Sequence, residues 1–463
     1  MCNDYLVKIG DIATVFDGPH ATPTKIEHGP YFLSISSLEA GQLDLSKSAR
    51  LSEEQFDKWT RRVTPQEGDV LFSYETRLGE AALMPKGVKA CLGRRMGLLR
   101  PALDKVLPDY LLYAYMSPMF QQEIKKRTIH GATVDRISLK ELPDFNIRIP
   151  PLSEQARVVN VLKSLNQKLS LNRQINQTLE QMAQTLFKSW FVDFDPVIDN
   201  ALDAGNPIPD ELQHRAEARK AVRESEGFKP LPDEVRQLFP DAFEESELGW
   251  VPKGWVASDL NEIATVLSGF AFKSKDFQDT GLGVIKIKNI GSDKSVDIYD
   301  IQRIDEAVGL ACERFRLKDG DLLMAMTGAT VGKFGSLVTE NGETYYLNQR
   351  VAKLVPKDAS SEYLYCALNR DKADAYIVNA AQGSAQPNIS ARDILAMPLI
   401  AAPKHLRELF NAKVNDSFKQ IIQLRKQVIT LTKLRDTLLP KLISGELRLD
   451  EIEAAVEQET VGA

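Results

Sequence analysis

The sequence nearly repeats itself. An offset of 252 residues carries Glu67-Gly68-Asp69 onto Asp319-Gly320-Asp321 and Gly131 onto Gly383. Around these anchors, Gly10 to Val15 returns as Asn261 to Val266, and Arg95 to Pro101 returns as Arg350 to Pro356. Asp109-Tyr110-Leu111 returns as Glu362-Tyr363-Leu364, and Ile137-Ser138 as Ile389-Ser390. A period this long means tandem domains and not a solenoid of short units. Any fold proposed for one half must therefore suit the other.

Each copy closes on a run free of proline and glycine. The first, from Leu152 to Trp190, can form one helix of roughly 60 Å. Ser153 reads as its N-cap, with Glu154 in the first turn where a carboxylate suits the helix dipole. Val161, Leu165, Ile175, Leu179, Met182 and Leu186 follow the alternating four-three spacing of a coiled-coil seam, interrupted by Lys168 and Asn172. The second run, from Lys404 to Leu439, carries Phe418, Ile421, Leu424, Val428, Leu431, Leu434 and Leu438. Leu179 and Leu186 map onto Leu431 and Leu438, so the helices belong to the repeat.

The expected fold class is α/β: two similar α+β domains, each followed by a long helix, with the helices packing as an antiparallel coiled coil. Two separate long helices on two domains is the plainer alternative. The expected boundaries are a first domain at 1–150, a helix at 151–192 and an acidic, proline-containing linker at 193–250. A second domain at 251–402, a helix at 403–445 and an acidic tail at 446–463 complete the chain.

At 463 residues the chain suits two or three domains. No apolar run reaches transmembrane length, and Met1-Cys2-Asn3-Asp4 begins no signal peptide. The four cysteines are scattered and the five histidines form no ligand cluster, so neither disulfides nor a metal site is expected. The cytoplasm is the default location. Net charge is -6, which argues at first against nucleic acid. However, Ala201 to Trp250 and Glu446 to Ala463 hold the excess acid, and the domain bodies are mildly basic. Local patches can still hold phosphate.

Catalytic motifs find little support. Gly328 to Lys333 lacks the full phosphate-loop spacing, and Phe334 stands where Ser or Thr would bind magnesium, so a glycine-rich turn between strands is the better reading. Pro108-Asp109 with Glu123-Ile124-Lys125 fits a loose nuclease pattern. Asp109 would cap a helix, though, and Glu123 and Lys125 would lie near a helix end, where carboxylates cannot converge on a metal. No catalytic residue, metal or cofactor is assigned to this chain.

Polar and basic loops recur at matching places in both copies. In the first copy the candidates for DNA contact are His20, Thr22, Lys25, Tyr74, Thr76, Arg77, Arg94, Arg95, His130, Thr133 and Arg136. In the second they are Lys273, Lys275, Lys286, Lys288, Asn289, Thr327, Thr330, Lys333, Asn348, Arg350, Gln382, Ser384, Gln386 and Asn388. Arg suits guanine, Asn and Gln suit adenine, and Lys and backbone amides suit phosphate. Solvated loops have similar composition, so the paired recurrence is what raises the hypothesis. A structural coiled-coil adaptor would need the helices but not these paired loops. A nuclease would cleave DNA alone, and would lose that activity on Asp109→Ala.

Four further stretches carry a family resemblance. They are Pro150-Pro151-Leu152-Ser153-Glu154-Gln155, Phe187 to Pro196 (FKSWFVDFDP), Glu247 to Trp255 (ELGWVPKGW) and Leu438 to Leu447 (LLPKLISGEL). With the repeat, they make the chain resemble the specificity subunit of type I restriction-modification systems over nearly its whole length. One departure is Ala402-Pro403-Lys404-His405-Leu406-Arg407, where the first copy has its Pro-Pro-Leu-Ser-Glu-Gln form. The resemblance implies two target recognition domains, each reading one half of an interrupted site in double-stranded DNA, with the helices as spacer. It implies docking of two methyltransferase subunits that use S-adenosylmethionine, and of restriction subunits that use ATP and Mg. The chain itself would supply specificity without catalysis, and no membrane is involved.

Overall fold

The computed structural model describes residues 5–39, 41–131, 134–381 and 387–447. The described residues up to Leu169, together with those from Thr430 onward, form one compact unit. Ser170–Ile429 form a second. Each unit contains an α/β domain and part of both long helices. The helices span Leu152–Phe191 and Lys404–Ser444. Among the described residues no helix is long and apolar enough to cross a membrane.

In the first unit a four-stranded antiparallel sheet runs in the order Ala13–Asp17, Met96–Pro101, Val70–Ser73, Ala81–Leu83. Val70–Ser73 is buried throughout, which explains its unbroken apolar run. Helices Pro108–Met116 and Pro118–Lys126 cover the sheet, and Phe72, Tyr115, Phe120 and Phe145 stack in sequence between them. A three-stranded sheet adds Ile26–Phe32, paired in parallel with Ala90–Cys91.

The second unit repeats this topology. Its four-stranded sheet runs Ala264–Ser268, Val351–Pro356, Leu322–Ala325, Phe334–Ser336, followed by helices Ser361–Leu368 and Asp371–Ala380. Leu282–Ile285 pairs in parallel with Tyr345–Leu347, inside a smaller sheet that here has five strands. The buried aspartate of the Gly-Asp turn recurs as well. Asp69 accepts from Gln66 N and pairs with Arg100 at 2.7 Å, while Asp321 accepts from Lys318 N and pairs with Lys353 at 2.7 Å.

The first long helix begins at Leu152, so Ser153 lies inside its first turn and is not the cap. Glu154 N and Gln155 N instead donate to Pro151 O, at 2.9 and 3.1 Å. Proline suits this boundary because its fixed φ and missing N–H cost nothing there. Gln155 is fully buried; its amide donates to Pro150 O and Lys105 O and accepts from Leu107 N. At the departure in the second copy, Arg407 takes the place of Gln155. It donates to Ala402 O and pairs with Asp358, both at 2.5 Å. Different chemistry thus fixes the same joint.

The seam differs from the expected register. Leu162, Leu169, Asn172, Asn176, Ala183 and Phe187 are buried along the middle of the first helix, with Gln155, Val158 and Val159 before them and Trp190 and Phe191 after. Val161, Leu165, Ile175, Leu179 and Leu186 are half-buried at its margins, and Met182 is 61% exposed. Leu162, Leu169, Asn176 and Ala183 keep the seven-residue spacing but lie one residue beyond the expected Val161, Lys168, Ile175 and Met182, so the register and not the period differs. On the second helix Ile421 is buried, while Phe418, Leu424, Val428, Leu431 and Leu438 are half-buried and Leu434 is exposed. Within the second unit the helices run antiparallel. Asn172 donates to Gln427 at 3.0 Å, Arg425 pairs with Glu180 at 2.6 Å, and Phe187 stacks on Phe410 at 5.7 Å.

Residues 193–250, expected as a linker, are a folded part of the second unit. Asp195–Ala204, Gln213–Arg223 and Asp233–Arg236 are helical, and Phe243–Ser246 pairs with Gly249–Pro252. Phe194, Val197, Val235 and Phe239 join Trp190, Phe191 and Trp255 in one core. Part of the charge that makes the stretch look solvated is paired, Asp199 with Arg219 at 2.6 Å and Asp203 with Arg223 at 2.5 Å. Nearly all of the expected acidic tail lies outside the described residues.

Candidate nucleic-acid interface

At one end of the first domain's main sheet, three loops are tied together by backbone hydrogen bonds. Tyr74 N donates to Arg95 O at 3.2 Å, Thr76 N to Asp135 O at 3.1 Å, and Ile137 N to Tyr74 O at 2.9 Å. The segments 74–77, 94–95 and the described residues 129–131 and 134–137 therefore converge, as three of the recurrent polar loops. The second domain makes the same three bonds: Met326 N to Arg350 O at 3.0 Å, Gly328 N to Pro387 O at 2.9 Å, and Ile389 N to Met326 O at 2.9 Å. Its segments 327–333, 348–350 and 387–389 are gathered likewise, and Phe270 bridges to Asn348. This common stitching places polar side chains at matching positions of two separate scaffolds.

The side chains at the two clusters differ. In the first, Thr76 and Arg95 both have left-handed backbones, φ 71° and 69°. Arg95 pairs with Glu75 through Nε at 3.0 Å and donates from Nη1 to Thr76 Oγ1 at 3.3 Å. Arg94, His130 and Arg136 are exposed around them, with His130 Nδ1 against Asp135 at 3.1 Å. His20 joins from a fourth loop through Asp17, which also pairs with Arg62 at 3.0 Å. Tyr74 is buried beside that aspartate, and burial first, then the charge of Asp17, raises its hydroxyl above the ordinary phenol value. In the second cluster Gly328 takes the left-handed turn at φ 77°, matching Thr76. Lys333, Arg350 and Asn388 are exposed there, and Arg350 has no ion pair among the described residues.

Several expected contacts are occupied elsewhere. Arg77 turns inward and donates to Ile35 O at 3.0 Å. Asn289 is 1% exposed and serves its own turn, accepting from Lys286 N and donating to Asp300 O at 3.0 Å each. Lys288 pairs with Asp300 at 2.7 Å, and Lys286 lies 3.7 Å over the Phe277 ring and donates to Gln302. Burial, followed by the nearby Lys288, lowers the Lys286 ammonium below its ordinary value. Thr22, Lys25, Lys273 and Lys275 are exposed and make no hydrogen bond to the clusters among the described residues, whereas Thr327 and Thr330 lie half-buried in the second. Thr133, Gln382, Ser384 and Gln386 lie outside the described residues. Glu75, Asp17, Arg62 and Phe270 are the residues the loop composition did not single out.

The Gly328–Thr330 turn sits between two strands, as its glycines suggest, and Asp109, Glu123 and Lys125 lie on two helices. Among the described residues no group of His, Cys, Asp and Glu could hold a metal.

The family model for the type I restriction modification DNA specificity domain matches residues 6–181 and 252–405, well over half the chain. The chain belongs to this family. Each matched segment covers one α/β domain and runs into the long helix after it, so the DNA specificity domain occurs here twice. Among curated relatives, the HindI specificity subunit of Haemophilus influenzae is 27% identical over 76% of this chain and 80% of its own length. The MjaIX specificity subunit of Methanocaldococcus jannaschii is 23% identical over 96% of this chain and 94% of its own. The crystal structure of a type I restriction-modification S subunit from M. genitalium shares the fold, with a TM-score of 0.54 at 15% identity, covering 95% of this chain and 97% of that one.

Proposed function

We propose that this chain is the specificity subunit of a type I restriction-modification complex, in which each domain reads one half of an interrupted site in double-stranded DNA. The observation that carries the reading is the doubled loop cluster. The same three backbone hydrogen bonds gather polar, cationic loops at the same end of two similar domains. Membership of the DNA specificity family and full-length likeness to specificity subunits support it.

The long helices act as a spacer in this reading, packed as an antiparallel coiled coil. A stiff spacer fixes the distance between readers, and half-sites about 34 to 36 Å apart lie on one face of the duplex. Exposed helix surfaces dock two methyltransferase subunits, which bring S-adenosylmethionine, and restriction subunits bring ATP and Mg. The chain supplies recognition and its partners supply catalysis.

The test is methylation mapping in a host that expresses the cognate methyltransferase subunit with and without this chain. A single interrupted motif with methyl-adenine in each half, present only with the chain, is the expected result. Two copurifying, folded proteins that yield no motif would instead favour a structural adaptor.

A further inference from the structure

The first cluster holds an arrangement that its twin lacks. Glu75 engages Arg95 on the Nε side of the guanidinium, and the Thr76 hydroxyl takes one hydrogen of Nη1. The remaining hydrogens of the two terminal nitrogens form the pair of parallel donors that fits the O6 and N7 acceptors of guanine. Both ends of the arrangement are set by left-handed backbone at non-glycine residues, an unusual state that the surrounding hydrogen bonds enforce. The Arg95 and Glu75 side chains are only 33% and 22% exposed, and the Glu75 carboxylate lies 3.0 Å from Nε as an ion-pair contact without a hydrogen bond.

A phosphate contact would not call for this. Phosphate is held as well by a mobile lysine, and a carboxylate beside the backbone of DNA is repelled by it. A carboxylate that orients an arginine makes sense where the arginine must present one fixed edge to a base. In the second cluster Thr327 stands in place of Glu75, and Arg350 is exposed without an ion pair among the described residues.

We infer that Arg95 reads a guanine in the half-site of the first domain and that Glu75 is the positioning residue that aims it. This rests on the proposed function and goes beyond it by naming a base and the pair that selects it.

The experiment is methylation mapping with full-length wild type, Glu75→Gln and Arg95→Lys, each with the methyltransferase subunit. Wild type gives one interrupted motif. Glu75→Gln leaves one half unchanged and makes a single G·C position of the other degenerate, with discrimination falling about ten-fold. Arg95→Lys weakens discrimination at the same position, because an ammonium on a flexible stem lacks the rigid planar fork that a carboxylate can aim, and it decides the matter if Glu75→Gln fails to copurify with its partner. A motif unchanged in both variants, or a loss spread evenly over every position as a phosphate contact would give, overturns the inference while leaving the proposed function intact. Absence of any interrupted motif with wild type overturns both.

Discussion

The two domains share a backbone and differ in how they are finished. Both gather three loops with the same hydrogen bonds, and both bury the aspartate of a Gly-Asp turn. Yet the first builds its cluster on a paired, strained arginine, and the second on a glycine turn with an arginine that has no ion pair among the described residues. The smaller sheets differ too, three strands against five. Scaffold and loop surface are thus separable, which suits the proposed reading of two half-sites with one fold.

The largest expected effect breaks the comparison at the start of the long helices. Arg407→Ala strands the buried Asp358 carboxylate and should destabilise the second unit by about 3–5 kcal/mol. Gln155→Ala leaves neutral groups unsatisfied in the first unit and should cost about 1–3 kcal/mol. Denaturant unfolding of the two full-length variants measures the difference; equal losses would mean the two joints carry equal weight.

A smaller effect separates the two left-handed turns. A Cβ at Gly328 meets nothing nearer than Ile287 Cδ1 at 3.8 Å, so Gly328→Ala should cost only its backbone penalty, about 1 kcal/mol. Thr76→Gly trades the same penalty for unfolded-state entropy and should be close to neutral. Thermal unfolding distinguishes the two; a destabilising Thr76→Gly would show that the threonine side chain itself holds the loop.

The smallest effect belongs to residues 193–250, for which the first unit has no counterpart. Hydrogen bonds from Arg223 and Arg236 hold the Asp203 carboxyl below its ordinary value of 3.8. The folded state is therefore favoured above that value, and the contribution is lost as pH falls through the lower folded one. Asp203→Asn should flatten this part of the acid unfolding curve of the second unit, and an unaltered curve would show that the pair contributes nothing.

Most of the architecture is legible in the sequence because it is written twice. The offset of 252 residues locates both domains, both helices and the loops that converge. The remainder depends on three-dimensional context. The heptad pattern proposes Met182, but the buried stripe keeps the same period one residue on, through Ala183 and Phe187, because the helix packs against a domain as well as a helix and apolar spacing alone does not fix which face that is. Arg77 and Asn289 share the composition of contact residues, and only their hydrogen bonds show that Arg77 is tied to the Ile35 carbonyl and Asn289 to its own turn. Glu75 carries the wrong charge to be picked by composition, and its role comes from its distance to Arg95. Residues 193–250 look like a linker when their acids and bases are summed, and like a folded element once they are paired.

The most direct test of two separate readers is the methylated motif obtained with Arg95→Ala and, independently, with Arg350→Ala. Each variant should weaken methylation through one half of the motif only, and the two should affect opposite halves. Equal degradation of both halves by either variant would contradict separate reading by the two domains.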